Sequence, residues 1–199
     1  MSERAVSERA VRPKAPTRLS TRVLLACVVL GALGAAVVHV ARILGLLLQG
    51  TLPWLSFPAP LPWFLGILIA PLLTQRAGTA LLTSLVTAVA GFGGLALCAG
   101  VVIEASFLLT RALGRRDAAL PPPASRRWIG WAILTAALVS LMSVGFMFLY
   151  QEFLLLDDAV KLLALAVRLV LGALYAWVAW GLTGSVLRAG VDPARLLRT

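Results

Sequence analysis

Apolar blocks separated by short polar breaks run through most of the chain. A helix that crosses the hydrocarbon core of a bilayer needs about 20 apolar residues, with a range of about 17–25. The block Val23–Leu48 is long enough for one such helix. The block Leu61–Thr110 is divided into three by breaks at Gln75–Gly78 and Gly91–Gly94. With two further blocks, the pattern predicts six transmembrane helices, at about 22–48, 61–75, 78–92, 94–113, 128–150 and 159–187.

The ends of the chain lack this apolar character. Residues 1–20 are polar and basic and contain the pentad SERAV twice in tandem, which indicates a disordered tail. The apolar run that follows is too long for the central region of a signal peptide and has no convincing A-x-A cleavage site. We therefore expect a tail over 1–20, a transmembrane domain over 21–188 and a second tail over 189–199.

Composition agrees with this organisation. Hydrophobic residues make up 60% of the chain and charged residues only 13%, whereas a soluble domain has about 45–50% and about 25%. The mean hydropathy is +0.95. The 2 cysteines, Cys27 and Cys98, both lie in apolar runs, which excludes a secreted disulfide scaffold. The sequence thus predicts an all-α, polytopic integral membrane protein.

The net charge of +10 would suggest nucleic-acid binding in a soluble domain. The basic residues, however, follow the ends of alternate predicted helices, whereas Lys161 lies among acidic residues on the other side. The expected cytoplasmic residues are Arg4, Arg9, Arg12, Lys14, Arg18, Arg22, Arg76, Arg111, Arg115, Arg116, Arg126, Arg127, Arg188, Arg195 and Arg198. This positive-inside pattern predicts a multi-pass protein of the cell membrane with both termini cytoplasmic, in contact with lipid and not with nucleic acid.

Several kinds of chemistry are missing from the sequence. The single histidine excludes di-iron histidine boxes, bis-histidine haem sites and the HExxH zinc site, which each need at least two. The chain has no Walker A motif, no GxSxG motif and no cysteine pair with metal-ligand spacing. We therefore expect neither an enzyme nor a bound metal or cofactor.

Four ionisable side chains lie inside the apolar runs: His39, Arg42, Glu104 and Arg168. A charge in the bilayer costs about 2.5–3.5 kcal/mol, so each should have a partner. Glu104, near the midplane, and Arg168 either form a structural interhelical ion pair or contact a ligand directly. His39 is either a hydrogen-bonded interior residue or a ligand contact, and Arg42 is expected to snorkel outward.

Aromatic residues gather at the outer ends of the predicted helices. They are Trp54, Phe57, Trp63, Phe64, Phe146, Phe148, Tyr150 and Phe153. They form either an interfacial aromatic belt or a stacking wall for a planar ligand under a proline-bounded lid. In the second case Trp54, Trp63 and Tyr150, with the neighbouring Glu152, are candidate ligand contacts. Trp128 and Trp131, at the inner side, are expected to be belt residues.

Small residues recur at four-residue spacing on the first helix. Cys27, Gly31 and Ala35 form one stripe, and Ala32 and Ala36 lie beside it. Such a stripe lets a second helix approach closely. It serves either packing within the bundle or docking to a separate membrane subunit.

Three short strings resemble a known family. They are RAGTALLTS from Arg76, IEASFLLTR from Ile103 and VRLVLGAL from Val167. Their order and spacing are similar to those of the YkoE-like family, the substrate-binding S components of energy-coupling factor (ECF) vitamin transporters. The resemblance implies a six-helix S-component-like bundle that binds thiamin or its hydroxymethylpyrimidine moiety in an outward-facing pocket. It also implies a transmembrane T component and two cytoplasmic ATPases as partners.

Glu104 and Arg168 fall on positions of the family's pattern and are the leading candidates for ligand contacts. That pattern places an acidic residue at or beside Ser84, where this chain has none. A different small solute therefore stays open. The alternative from another class is a membrane scaffold or assembly factor, in which a Glu104–Arg168 pair is purely structural.

Overall fold

The computed structural model describes residues 20–48, 62–91, 93–113 and 126–190. These ranges are helical and contain no strand, which confirms the all-α prediction. The helices are α1 (Thr21–Leu48), α2 (Leu65–Thr74), α3 (Thr79–Gly91), α4 (Gly94–Leu113), α5 (Arg126–Met147), α6 (Gln151–Leu154) and α7 (Asp158–Arg188). Apart from residue 20 and residues 189–190, the two tails expected from the sequence lie outside the described residues.

The helix ends differ from the predicted ranges in places with a local cause. Helix α4 has the predicted bounds, whereas α2 begins at Leu65 because Trp63 and Phe64 form a turn. In this turn the Leu65 N–H donates to the Pro62 carbonyl at 3.0 Å. The short helix α6 was not predicted.

Four helices, α1, α4, α5 and α7, are long and apolar enough to cross a membrane, so the described chain is that of a membrane-embedded protein. Helices α2 and α3 occupy the positions of the other two predicted spans but have only 10 and 13 residues. At a rise of 1.5 Å per residue they cover about 15 and 20 Å, less than the roughly 30 Å hydrocarbon core. Six crossings therefore stay a prediction.

Helix α2 lies at the centre of the bundle. Its residues 66–74 are all buried, and it packs against α1, α3, α4 and α7. A helix that is apolar on every side is stable only when every side is covered. The other contacts follow the chain, with α1 against α3, α3 against α4, α4 against α5 and α5 against α7.

Glycines allow α1 to approach α2 and α3. A Cβ on Gly31 would lie 2.6 Å from the Val86 Cβ, and one on Gly66 would lie 2.5 Å from the Leu30 carbonyl oxygen. In this close contact the Thr87 hydroxyl of α3 donates to the Gly31 carbonyl at 3.1 Å. The backbone approach that small residues permit is thus used inside the bundle.

Helices α1 and α3 run in the same direction, because Gly31 lies against Thr83 and Gly91 against Val38. Helices α2, α4 and α7 run the opposite way. We call the end of the bundle that holds the α2–α3 turn the Arg76 end, and the end where α2 begins the Trp63 end.

The charges of the described residues separate between these two ends. The basic residues at the Arg76 end are Arg22, Arg76, Arg111, Arg126, Arg127 and Arg188. The Trp63 end has Lys161 with the acidic residues Glu152, Asp157 and Asp158, and the exposed Arg42 lies toward this end on α1. This separation is the one expected from the sequence, and the assignment of the Arg76 end to the cytoplasm remains a prediction from the positive-inside rule.

Candidate functional site

Arg168 is buried in the middle part of α7 and is held by α5. Its side chain is only 6% exposed. Its Nη1 donates a hydrogen bond of 3.1 Å to the Ser143 hydroxyl. One turn earlier on α5, the Ser140 hydroxyl donates to the Arg168 backbone carbonyl, also at 3.1 Å. Two hydroxyls of one helix therefore fix both the backbone and the guanidinium of Arg168.

A small cavity of about 20 Å³ borders this guanidinium. That volume is enough for roughly one water molecule. The cavity is bordered by α5, α7 and the turn before α2. The residues that line it are Trp63, Phe64, Val139, Ser140, Ser143, Arg168, Leu171, Gly172 and Tyr175.

Aromatic rings form one side of the cavity. The Phe64 ring meets the Tyr175 ring edge-on, with centroids 6.1 Å apart. Trp63 packs against Phe64 in the same way at 5.5 Å. Edge-to-face pairs at these distances are favourable contacts between aromatic rings. The cavity therefore has an aromatic wall beside its single cation.

The spacing of residues on α7 places this wall and the cation together. Arg168, Gly172 and Tyr175 are separated by four and three residues and so share one face of the helix. Glycine suits this position, because a Cβ there would displace the Ser140 hydroxyl from its bond to the Arg168 carbonyl. The absence of that Cβ brings α5 close enough for both serine contacts to Arg168.

Glu104 on α4 serves a different part of the molecule. It is 4% exposed, and its Oε1 and Oε2 accept hydrogen bonds from the Gly78 and Ala80 N–H groups at 2.6 and 3.2 Å. These groups lie at the N-terminus of α3, where a helix leaves backbone donors without internal partners and favours negative charge. Glu104 thus caps α3 from a neighbouring helix.

Of the two alternatives left open for Glu104 and Arg168, the interhelical ion pair is not formed. The ion pair found among the described residues joins the Lys161 Nζ to the Asp158 Oδ1 at 3.0 Å. Glu104 bonds to the turn after α2, whereas Arg168 borders a cavity at the turn before α2. The 10 residues of α2 separate these two places by about 15 Å. The ion-pair alternative is therefore not the one found, because the short α2 brings its turn into the bundle, where it reaches Glu104.

Two further candidates lie away from the cavity on exposed positions. His39 Nε2 donates to the Ala90 carbonyl near the end of α3 at 2.9 Å. Glu152 is exposed in the first turn of α6. Neither lines the cavity. His39 is therefore hydrogen-bonded, as one of the two alternatives expected, but it lies at an exposed position and not in the interior.

Of the predicted aromatic wall, the described residues Trp63 and Phe64 line the cavity with Arg168. Tyr150 is 42% exposed between α5 and α6, and Trp54 lies outside the described residues. Trp128 and Trp131 are 2% and 6% exposed. They pack on each other at 5.5 Å, so the prediction that they belong to an interfacial belt was wrong.

The small residues on α1 fall into two groups, one buried within the bundle and one exposed on its outer side. Cys27, Gly31 and Ala35 are buried, so a separate subunit cannot reach them in this structure. Ala32 and Ala36 are exposed on the outer side of α1. Docking to a partner helix therefore stays a prediction for Ala32 and Ala36 alone.

The sequence analysis named Phe64 as part of a possible stacking wall but did not select Ser140, Ser143 or Tyr175. The signal available for the serines was their three-residue spacing on an apolar helix. Tyr175 follows Arg168 by two helical turns, which places both on one face. These spacings indicate a shared cavity only once it is known that α5 packs against α7.

The lining of the cavity offers one cation with hydroxyl and aromatic groups as possible ligand contacts. Among the described residues that line it there is no carboxylate, histidine or cysteine. Among the described residues, no three His, Cys, Asp or Glu side chains are grouped to hold a metal ion.

No family model, curated protein or solved structure matches this chain.

Proposed function

We propose that this chain is the solute-binding subunit of a membrane importer, of the S-component kind suggested by its resemblance to the YkoE-like family. The observation that carries the proposal is the position of Arg168, which is buried within an apolar helix and borders a cavity with an aromatic wall. An ionisable residue within a membrane helix is costly, and such residues mark ligand or ion sites.

The proposed ligand is a small planar solute of the vitamin type. The rings of Trp63, Phe64 and Tyr175 offer stacking surfaces for a planar molecule, and Arg168 and Ser143 offer polar contacts at its edge. Flat, water-soluble rings with polar edges match both kinds of contact. Thiamin and hydroxymethylpyrimidine are the solutes that the resemblance favours.

Binding must include a local opening. The cavity of about 20 Å³ is far smaller than the roughly 300–1,000 Å³ of a pocket for a small organic ligand. Trp63 and Phe64 lie in the turn before α2, where the Phe64 carbonyl accepts the first hydrogen bond of that helix, from the Leu68 N–H at 3.0 Å. We propose that displacement of this turn admits the solute from the Trp63 end, which is the outer face under the positive-inside assignment.

Transport would depend on the partners that the resemblance implies: a transmembrane T component and two cytoplasmic ATPases. The exposed side of α1, which includes Ala32 and Ala36, is the part of the small-residue stripe left for such docking. The subunit would lie in the cell membrane with the Arg76 end and both termini in the cytoplasm.

The second candidate function is a membrane scaffold or assembly factor without a ligand. The small volume of the cavity and the use of Glu104 in capping α3 favour it. The two functions differ in what replacement of Arg168 does. A scaffold with Arg168→Met would keep its stability and function, whereas a binding subunit would lose its ligand.

The test is thermal unfolding of the full chain in lipid nanodiscs with thiamin, hydroxymethylpyrimidine and other B vitamins. We expect at least one compound to raise the Tm of the wild type and to leave Arg168→Met unshifted. Arg42→Met is the matched control, because Arg42 is an exposed cation of α1 that does not line the cavity. No shift with any compound would contradict the proposal.

A further inference from the structure

We infer that the contact between α4 and α5 at the Arg76 end binds the phosphate of an anionic phospholipid between Arg111 and Arg127, with the indole N–H of Trp131 as a further donor. These three residues lie where α4 ends and α5 begins, and they are not among the residues that line the Arg168 cavity. The inference is therefore independent of the proposed solute-binding function.

The first argument is the register of the two helices. The Phe107 ring of α4 meets the Trp131 ring of α5 edge-on, with centroids 6.1 Å apart. Arg111 follows Phe107 by four residues, which places it on the same face of α4. Arg127 precedes Trp131 by four residues on α5. Because the two helices run in opposite directions, both arginines lie at one level, just beyond the ring contact.

The second argument is the charge at this level. Among the described residues, neither Arg111 nor Arg127 has an ion-pair partner. Glu104, on the same helix as Arg111, lies about 10 Å away along the axis, and both of its oxygens bond to the start of α3. Two like charges at one level repel each other, whereas an anion between them is attracted by both.

The third argument is the start of α5. The first turn of this helix has two arginines, Arg126 and Arg127, and no acidic residue. A helix N-terminus carries partial positive charge and backbone N–H groups without intrahelical acceptors, so cations are unfavourable there and anions are stabilised. A phosphate at this position would offset the charge of both the arginines and the helix dipole.

A buried donor points to the same place independently of charge. Trp131 is only 6% exposed, and its indole nitrogen has no hydrogen-bond acceptor among the described residues. A long side chain on a helix leans toward the helix N-terminus, so the Trp131 ring covers the turn that contains Arg127. Buried tryptophan N–H groups usually have a hydrogen-bond partner, and a phosphate oxygen at this turn would supply one.

A lipid is the occupant that fits this position. Helix α4 has 20 residues and covers about 30 Å, so Arg111 in its last turn lies at the depth of the headgroups. Exposed leucines continue from both arginines toward the middle of the membrane, with Leu108 one turn from Arg111 and Leu134 two turns from Arg127. Acyl chains can cover these leucines while the headgroup binds the basic residues.

The experiment measures the lipids that the full chain, purified in a neutral detergent, retains in native mass spectrometry. The probes are phosphatidylglycerol, which is anionic, and phosphatidylcholine, whose headgroup has no net charge. We expect the wild type to bind phosphatidylglycerol at least fivefold more tightly than phosphatidylcholine. Arg111→Gln and Arg127→Gln should each weaken the binding of phosphatidylglycerol threefold or more.

Arg126→Gln and Arg188→Gln are the matched controls, because each removes one charge from the same end of the bundle. Arg126 lies about 100° around α5 from Arg127, and Arg188 lies on α7. Both variants should change the binding of phosphatidylglycerol less than twofold. An equal loss in all four variants would show a diffuse attraction without a site and would overturn the inference, as would equal binding of the two lipids.

Trp131→Phe tests the site with both charges in place. It keeps an aromatic ring against Phe107 and removes the unpaired donor, so the lipid-free protein should keep or raise its Tm. Phosphatidylglycerol should bind severalfold more weakly, and unchanged binding would overturn the assignment of the indole N–H. A rise in Tm with inorganic phosphate, without retention of either lipid, would assign the site to a soluble phosphate and overturn the choice of a lipid.

Discussion

Glu104 on α4 accepts a hydrogen bond of 2.6 Å from the N–H of Gly78, the residue at which the chain turns from α2 into α3. With its second bond to Ala80, this carboxylate supplies the cap that the start of α3 would otherwise lack. Removing it leaves two part-buried or buried donors without an acceptor. A buried unsatisfied donor costs about 1–3 kcal/mol.

Glu104→Ala is therefore expected to lower the free energy of unfolding by about 2–5 kcal/mol, from two such donors and the lost charge at a helix N-terminus. Glu104→Gln, whose side-chain amide keeps one acceptor oxygen, should lower the free energy of unfolding less. Thermal unfolding in nanodiscs measures both. Glu152→Ala is the control, since that carboxylate is exposed. A wild-type Tm for Glu104→Ala would show that the cap has no stabilising role.

The turn that Glu104 caps also requires a glycine. Gly78 has φ of +87°, and a Cβ there would contact nothing within 4 Å. Gly78→Ala should therefore be destabilising through backbone strain alone, by about 1–2 kcal/mol. Gly130 in α5 is equally open but helical, so Gly130→Ala should be neutral or stabilising by about 0.5–1 kcal/mol. If the two variants unfold alike, backbone conformation at Gly78 is not the cause.

Close packing of α5 on α7 should be sensitive to one methyl group. Gly172→Ala places a Cβ against the Ser140 hydroxyl and separates the helices that hold Arg168. We expect a loss of about 1–3 kcal/mol, typical of overpacking, together with weaker ligand binding. Gly181→Ala on the same helix meets nothing within 4 Å and should change neither property. Equal ligand affinity in both variants would argue against a site at this contact.

His39 should be dispensable for ligand binding. It donates to the Ala90 carbonyl on the exposed side of α1 and α3 and does not line the cavity. His39→Ala is expected to lower stability by about 0.5–1.5 kcal/mol, the usual net contribution of one hydrogen bond. Its ligand-induced shift in Tm should equal that of the wild type. Loss of this shift in Tm would show that His39 takes part in ligand binding.

The helices were predictable because each apolar block is separated from the next by glycine, proline or charged residues. Helix α4 begins and ends where the pattern of Gly94–Leu113 predicts. The segregation of arginines to one end was predictable for the same reason, since it depends only on position along the chain. The predicted start of α2 near Trp63 was less accurate, because a turn formed by local hydrogen bonds leaves no signal in the hydropathy pattern.

The partners of the buried charges could not be predicted. Depth along α4 placed Glu104 near the midplane, but its partner depends on the shortness of α2 and on the position of the turn that follows. The burial of Trp128 against Phe107 likewise depends on which faces of α4 and α5 meet. Hydropathy describes how apolar a helix is, and the pairing of helix faces is decided by packing between helices.

The central claim, that a solute binds beside Arg168, is tested most directly by ligand protection of a cysteine in the cavity. Leu171→Cys lines the cavity and is partly exposed. It can be introduced into a chain whose free cysteines, Cys27 and Cys98, are replaced by alanine. Leu155→Cys, at a position 87% exposed, is the control. We predict that the bound solute slows thiol labelling of Leu171→Cys and leaves that of Leu155→Cys unchanged. Labelling of Leu171→Cys at the same rate with and without a solute that raises the Tm would contradict the claim.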